Sequence, residues 1–294
     1  MGYVGSDLAC ETVPLSGVEG TETGECRIGR FRILRLRICT EEAARRLGRP
    51  MGRYVSVECG RIERHYGEDE RMLVHLLSGE IRGMSARVTG RAVDPSFGVF
   101  VAGLGNAELT ADAIGPETVR RLTATRHLRE HAGALYRDGG CAALSALAPG
   151  VLGQTGIETA EILRGTVRAV QPHLVIVIDS LAARSCARLA STVQITDTGI
   201  APGSGVGNHR SAIDAHTLGV PVICIGVPTV VHSATLVYDA LREAGIDSED
   251  EGLRRVLESG NGFFVSPKES DRISERVSCL LAEAIDRAFV GSLA

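Results

Sequence analysis

The stretch LVIVIDSLAARS, residues 174–185, decides the fold class of this 294-residue chain. Its first five residues are all apolar, which is typical of a strand buried on both faces of a parallel sheet. The run ends on Asp179, and a carboxylate is costly to bury unless it is paired or its pKa shifts. Either Asp179 caps the helix that we expect over 181–190, or the strand holds this carboxylate in place.

Strand and helix patterns alternate on both sides of this stretch. We expect strands at 31–38, 53–59, 98–105, 142–149, 174–179, 192–196 and 220–227. We expect helices after Thr40, near 68–80, and at 116–128, 158–170, 181–190, 233–245 and 268–290, with a loop over 12–30. This alternation predicts βαβ units. The predicted fold class is α/β: one doubly wound, mainly parallel sheet with helices on both faces.

The composition excludes several classes of protein. The net charge is −4, no basic stripe is present, and aromatic residues make up only 4% of the chain, so we expect no direct nucleic-acid partner. The eight cysteines include no CxxC pair, which favours buried thiols and no disulfide framework. No apolar run reaches membrane-spanning length, and the first ten residues do not resemble a secretory signal. We therefore expect a cytoplasmic protein with no membrane partner and no cofactor.

Four glycine-rich or polar stretches follow predicted strands, at 103–116, 148–159, 178–185 and 196–210. In open α/β sheets, ligands bind at the carboxyl ends of the strands, so these stretches are expected to form a crevice. The candidate crevice residues are Gly105, Asn106, Gly153, Asp197, Gly203, Gly205 and Asn208.

Two aspartates in these stretches are candidate catalytic residues. Asp112 precedes AIGPETV and Asp179 ends the apolar strand, so either one could simply cap a helix. Two carboxylates in one crevice cannot both ionise easily, so one can act as an acid while the other acts as a base. That arrangement favours peptide hydrolysis, and the capping alternative stays open.

Two further hypotheses come from other motifs. HLREH, residues 127–131, matches the H-x-x-E-H pattern, in which His127 and His131 bind zinc and Glu130 acts as the base of a peptidase. No third ligand is evident, and an exposed charged helix face is the simpler interpretation; a variant has Asp112 and Asp179 as metal ligands. The glycine-rich loop GSGVGN, residues 203–208, keeps a second alternative open: a non-catalytic protein that binds a small ligand at this loop.

Five ordered stretches resemble the germination protease family of spore-forming bacteria: GLGNAELTADAIGPETVRRLTATRHL (103–128), APGVLGQTGIETAEILRG (148–165), LVIVIDSLAARS, TVQITDTGIAPGSGVGNHR (192–210) and TLGVPVICIGVPTVV (217–231). The resemblance implies a fold similar to hydrogenase-maturation proteases. It also implies a tetrameric endopeptidase of the spore core, made as a zymogen that processes itself. Its substrates would be the small acid-soluble, DNA-protecting spore proteins that are degraded at germination.

The resemblance also assigns residues. It places the two catalytic aspartates of an atypical aspartic mechanism at Asp112 and Asp179, one to activate water and one to protonate the leaving amine. The crevice loops would supply donors to the oxyanion. SDLACE, residues 6–11, matches the family's cleavage motif, so we expect a cut between Asp7 and Leu8. Residues 1–7 would then be a short propeptide, and residues 8–294 a single α/β peptidase domain.

Three features depart from the family pattern. The propeptide is shorter than expected, and so is the segment after residue 240. His232 stands where an aspartate is expected, which replaces a carboxylate with a group that titrates near neutral pH. None of these departures removes Asp112 or Asp179.

Overall fold

The computed structural model describes residues 6–11, 18–133, 136, 140–203, 211–246, 252, 255–257 and 263–291. The strands are β1 Thr21–Ile28, β2 Phe31–Ile38, β3 Gly52–Glu58, β4 Gly98–Gly103, β5 Ala143–Leu147, β6 Leu174–Ala183, β7 Thr192–Thr196, β8 Val222–His232 and β9 Phe264–Val265. The helices are α1 Glu41–Leu47, α2 Glu68–Thr89, α3 Ile114–Arg121, α4 Arg126–His131, α5 Leu152–Thr155, α6 Thr159–Val170, α7 Ala215–Leu218, α8 Ser233–Glu243 and α9 Ser270–Phe289.

These strands form one sheet in the order β1-β2-β3-β7-β8-β6-β4-β5, and β9 pairs with β8. The strands β5, β4, β6 and β8 run parallel to one another, whereas β1, β2, β3 and β7 pair antiparallel. Helices cover both faces, so the predicted α/β fold is confirmed. The sheet is mixed, with a parallel half and an antiparallel half that meet where β7 pairs with β8.

The apolar run of β6 is buried because both of its faces carry a helical layer. Leu174, Ile176 and Ile178 pack in the core that α2 and α9 cover. Val175 and Val177 point the other way, into a second core that includes residues of α6 and α7. Successive strand residues alternate between faces, so a two-sided core requires an unbroken apolar run.

Three sequence-based element assignments are wrong. Strand β1 lies inside the expected loop; it pairs with β2 along its whole length but has an exposed surface, so its hydrophobic pattern is weak. The helix expected over 181–190 is absent, because β6 continues to Ala183, pairs with β8 and is followed by a short 3-10 turn. Tertiary pairing there overrides the helix propensity of LAAR.

The helix expected over 116–128 is interrupted between α3 and α4. Thr123 donates through its backbone N and Oγ1 to the carboxylate of Asp286 in α9. The backbone N of Thr125 donates to the carbonyl of Leu144 in β5. These bonds to other elements replace the intrahelical bonds that a continuous helix needs. Within the described residues, no helix is long and apolar enough to cross a membrane.

Candidate active site

Asp112 ends a 3-10 turn, Thr110–Asp112, which packs closely against the backbone just after β4. Gly105 has φ +113°, and a Cβ there would lie 2.0 Å from the carbonyl oxygen of Asp112. A Cβ on Gly103 would lie 2.2 Å from the carbonyl oxygen of Gly115, so the first turn of α3 touches the β4 backbone. The backbone N of Asn106 donates to Oδ2 of Asp112 at 2.8 Å. Only glycine permits this approach, and the approach fixes the carboxylate.

Asp179 lies in the middle of β6, one residue beyond the point where β4 stops pairing with it. It is 7% exposed, and the backbone N of Ser180 donates to its Oδ1 at 2.9 Å. The capping interpretation is wrong for both aspartates. Asp179 is followed by strand, and the N-cap of α3 is Ala113, which makes no side-chain cap.

Both carboxylates line one cavity of about 410 Å³ at the carboxyl end of the parallel strands. Five other segments complete the wall of this cavity. They are the loop before α5 (Gly150 and Val151), the start of α6 (Thr159), the loop after β7 (Ile200 and Gly203), strand β8 (Thr229) and strand β9 (Phe264). Two hydroxyls of lining residues, Ser180 Oγ and Thr229 Oγ1, are buried without a hydrogen-bond partner among the described residues. Both oxygens are shielded from solvent, so they lie behind the cavity surface that the two aspartates line.

The predicted crevice residues fall into three groups. Gly105 and Gly203 line the cavity. Asn106 lies beside it, where its Oδ1 accepts from Gln154 Nε2 at 2.9 Å and joins two loops. Gly153 is exposed in α5, outside the cavity lining.

Asp197 holds the sheet together rather than lining this cavity. Its Oδ1 accepts from the backbone N of Arg53 at 2.6 Å, which anchors the end of β7 to β3. Gly205 and Asn208 lie outside the described residues.

The HLREH motif is on α4, which has six residues. His127 and His131 are exposed, and neither lines the cavity; the side chain of Glu130 lies outside the described part of the chain. No group of three or more His, Cys, Asp or Glu residues suited to a metal ion occurs among the described residues. The structure therefore gives the zinc hypothesis no geometric support.

The eight cysteines are free thiols, three of them buried. Burial raises the pKa of Cys59 to about 12. Desolvation, reinforced by the charge of Asp179, also raises the pKa of Cys224. A thiol that stays protonated is a poor nucleophile, so neither of these buried cysteines is a candidate for covalent catalysis at neutral pH.

His232 ends β8 next to the cavity wall. Its ring packs edge-on against Phe264, with the ring centroids 5.4 Å apart. Its Nδ1 accepts from the backbone N of Ala234 at 3.2 Å. The histidine therefore supports Phe264, which lines the cavity, and is one contact away from the cavity itself.

The expected cleavage segment lies at the same site, since Asp7 lines the cavity of the two aspartates. Two residues that the sequence did not single out contact this segment. Arg49 Nη1 and Gln194 Nε2 both donate to the carbonyl oxygen of Asp7, at 2.9 and 3.0 Å. The only sequence signal was the polar Gln194 in the otherwise buried strand TVQIT; Arg49 carried none.

The sequence is similar to a family model and to several known proteins. The family model described as germination protease matches residues 7–243. A germination protease from Caldanaerobacter subterraneus subsp. tengcongensis is 38% identical, over 96% of this chain and 93% of its own length. A germination protease from Clostridium acetobutylicum is 34% identical, over 100% of this chain and 97% of its own length.

A solved structure of a nickel–iron hydrogenase maturation protease from Thermococcus kodakarensis KOD1 is also similar, at a low TM-score of 0.33 and 18% identity. It covers 66% of this chain and 94% of that one. The family model covers most of the sequence, and the matches with both relatives cover nearly all of it. The chain belongs to the germination protease family.

Proposed function

We propose that this protein is a self-processing endopeptidase that uses Asp112 and Asp179 to hydrolyse peptide bonds. The observation that carries the proposal is that both carboxylates and Asp7 line one cavity. Asp7 precedes the Asp7–Leu8 bond, which is the bond that the family's cleavage motif selects. The first peptide available to the two carboxylates is therefore the protein's own.

The hydrolysis follows a general acid–base route. One carboxylate accepts a proton from water as the water oxygen bonds to the carbonyl carbon, and the π electrons move to the carbonyl oxygen. When the tetrahedral intermediate collapses, the bond from carbon to nitrogen breaks. The other aspartate, in its protonated form, donates a proton to the nitrogen. The products are a carboxyl group on Asp7 and an amine on Leu8.

The cavity provides the setting that such a reaction needs. Asp179 is almost fully buried, and Asp112 lies at the cavity wall with its Oδ2 bonded to a backbone N–H. The reaction requires one carboxyl to be protonated and the other to be ionised, a division of roles that two neighbouring carboxylates allow. The hydroxyls of Ser180 and Thr229 are buried beside the cavity, and a Thr229→Val variant tests whether the second of them takes part in the reaction.

The substrate class follows from the family. We propose that the enzyme degrades small acid-soluble spore proteins during germination. It would cut them in segments that resemble SDLACE, residues 6–11. Loss of residues 1–7 would convert the zymogen to the mature form. Assembly into a tetramer belongs to the same proposal and is tested by the particle mass in solution.

The intact mass of the purified full-length chain tests the proposal, followed over time near pH 6 and near pH 7.5, with and without EDTA. We expect loss of residues 1–7 in the wild type but not in Asp112→Asn or Asp179→Asn. Asp69→Asn, an exposed aspartate paired with Arg30, is the matched control and should be cut at the wild-type rate. An acid-soluble spore protein added in trans should be degraded with the same dependence on the two aspartates.

The outcomes separate the hypotheses. Cutting that persists in both aspartate variants contradicts the mechanism. Cutting that EDTA abolishes supports a metal-dependent peptidase instead. A wild-type chain that cuts neither itself nor the spore protein contradicts the proposed activity.

A further inference from the structure

Residues 6–11 are bound along an open edge of β6. Pairing between β4 and β6 ends at Gly103 and Ile178, so the β4 side of β6 is free of β4 beyond that point. There the backbone N of Asp7 donates to the carbonyl of Ala182 at 2.9 Å, and the backbone N of Ala182 donates to Oδ2 of Asp7 at 2.8 Å. Proteins often bind an extended peptide by adding it to a free strand edge in this way.

The carbonyl of Asp7 has its own pair of donors. Arg49 Nη1 and Gln194 Nε2 lie 2.9 and 3.0 Å from its oxygen. Both residues line a second cavity, of about 280 Å³, and Asp7 lines this cavity as well as the one that holds Asp112 and Asp179. The peptide therefore separates the two carboxylates from the two carbonyl donors.

We infer that residues 6–11 occupy the enzyme's peptide-binding cleft as an intramolecular substrate, and that Arg49 and Gln194 stabilise the oxyanion that forms on the residue before the scissile bond. This inference rests on the proposed function and adds two catalytic residues and a set of subsites to it. It assigns the oxyanion donors to side chains of the antiparallel half of the sheet and its connections, in place of the crevice loops.

The geometry fits that role. Donors to an oxyanion act best at about 2.7–3.1 Å from the oxygen. As water adds to the carbonyl carbon, the electron pair that moves to the oxygen meets the charge of Arg49 and the amide N–H of Gln194. Desolvation lowers the pKa of Arg49, yet an arginine remains charged at any physiological pH. In a site with little water, its charge is also less screened.

The cleft contacts several residues of SDLACE individually. Leu8 is fully buried in a pocket with Leu181, Ala183 and Val231. The backbone N of Ala9 donates to Oε1 of Gln194 at 2.6 Å. Gln194 thus binds the peptide on both sides of the scissile bond.

Positions 9 and 11 are also constrained. Ala9 is 1% exposed in a cluster with Leu36, Ile38, Ala43 and Tyr54, which leaves room for only a small side chain. The carboxylate of Glu11 accepts from the backbone N of Arg184 at 2.7 Å and from Ser6 Oγ, with Arg188 Nε at 3.7 Å. The peptide bends into a 3-10 turn over Ala9–Glu11, so substrates must turn in the same way after the residue that follows the scissile bond.

The rate of self-cleavage in the full-length chain tests the inference. Its substrate is covalently attached, so the rate does not depend on the concentration of an added substrate. We expect Arg49→Met and Gln194→Met each to slow loss of residues 1–7 by about 10²–10³-fold, the usual effect of removing one oxyanion donor. Arg49→Lys, which retains a charge and a donor, should restore part of the rate. Arg46→Met, on the exposed face of α1, is the matched control and should leave the rate unchanged.

A second measurement separates chemistry from docking. In an Asp179→Asn background that keeps the chain intact, hydrogen exchange at the backbone N of Asp7 reports whether the segment stays bound, because its acceptor, the carbonyl of Ala182, is unchanged in both methionine variants. Slow cleavage with protection at Asp7 retained supports the inference. Slow cleavage with protection lost assigns Arg49 and Gln194 to holding the segment only and overturns it.

The remaining outcomes are also decisive. Wild-type cleavage rates in both methionine variants, with Asp179→Asn inactive, overturn the inference and leave the proposed function standing. A wild-type chain that cuts neither itself nor a spore protein overturns both.

Discussion

The two halves of the sheet contribute different chemistry to the candidate site. The parallel half holds both carboxylates: Asp179 within β6, and Asp112 in the loop that folds back on β4. The antiparallel half holds the groups that contact the Asp7 carbonyl, with Gln194 in β7 and Arg49 just after α1. The parallel half positions the carboxyl groups at the ends of its strands. The antiparallel half adds side chains that bind the peptide backbone. Residues 6–11 therefore contact groups of both halves: β6 through Ala182, and the antiparallel half through Gln194 and Arg49.

The largest effect is expected from Gly115→Ala, which tests whether close backbone contact in the parallel half positions Asp112. A Cβ at Gly115 would lie 2.2 Å from the carbonyl oxygen of Leu104 and 2.6 Å from its N, so backbone must move. We expect a loss of about 3 kcal/mol or more in the free energy of unfolding, at the upper end for single substitutions, and loss of self-cleavage. Urea denaturation and intact mass measure the two effects.

Gly165→Ala is the matched control because it also lies in a helix but has no atom within 4 Å of its Cβ position. There the better helix propensity of alanine should stabilise the protein by up to about 1 kcal/mol. Equal effects at the two glycines would contradict a special role for the contact between β4 and α3.

The next largest effect is expected from Leu8→Ala, which tests whether the cleavage segment is part of the folded core. Leu8 is 0% exposed, and truncating a buried leucine typically costs about 2–5 kcal/mol. We expect a loss in this range in urea denaturation of the Asp179→Asn chain, in which residues 1–7 stay attached. Leu236→Ala, at a leucine that is 41% exposed in α8, should cost far less. A Leu8→Ala effect as small as the control would mean that the segment is not bound as described.

Thr229→Val tests the hydroxyls of the parallel half. Thr229 lines the cavity, and its Oγ1 is buried without a hydrogen-bond partner among the described residues. Valine has nearly the same shape as threonine but no hydroxyl donor. We expect the self-cleavage rate to fall about 10–100-fold, somewhat less than the loss of a dedicated oxyanion donor. Thr229→Ser should restore most of the rate, as measured by intact mass. A valine variant with full activity would exclude a role for this hydroxyl in the reaction.

The smallest effect, a change in the pH dependence of stability, is expected from Asp286→Asn in α9. Desolvation raises the pKa of Asp286, and hydrogen bonds from Thr123 only partly offset the rise. A carboxyl whose folded-state pKa is above its unfolded value of about 4 stabilises the fold at lower pH, and this contribution is lost as pH rises through the folded pKa. Asparagine does not ionise, so the stability of wild type relative to the variant should decline from about pH 3 to pH 7.

The melting temperatures of both proteins across this range check the sign. A difference that does not change with pH would contradict the raised pKa. Asp69→Asn, at an exposed position, is the control.

The parallel half could be predicted from the sequence because its signals are local. The run 174–178 must be buried on both faces, and glycines follow the strands at positions where backbones touch. Both aspartates therefore stood out as residues at strand ends. The continuation of β6 to Ala183 could not be predicted, since LAAR favours a helix and only pairing with β8 and with residue 7 makes it a strand.

The antiparallel half was harder to predict. Strand β1 is an exposed edge with no hydrophobic alternation, so its sequence resembles a loop. Arg49 is one of many arginines, and Gln194 lies in a short strand that also contains two threonines. Their roles depend on contacts with residues more than forty positions away, which no local pattern encodes.

The covalent attachment of the bound segment has a consequence for competition. Short flexible tethers hold a ligand at an effective concentration of the order of millimolar. A free protein with the same motif and the same intrinsic affinity must approach that concentration to displace residues 6–11 half of the time. The inferred competition applies only to the uncut chain, because loss of residues 1–7 breaks the bound segment. A free protein would therefore enter the cleft of the uncut chain only near that concentration, and the cleft of the cut chain at a lower one.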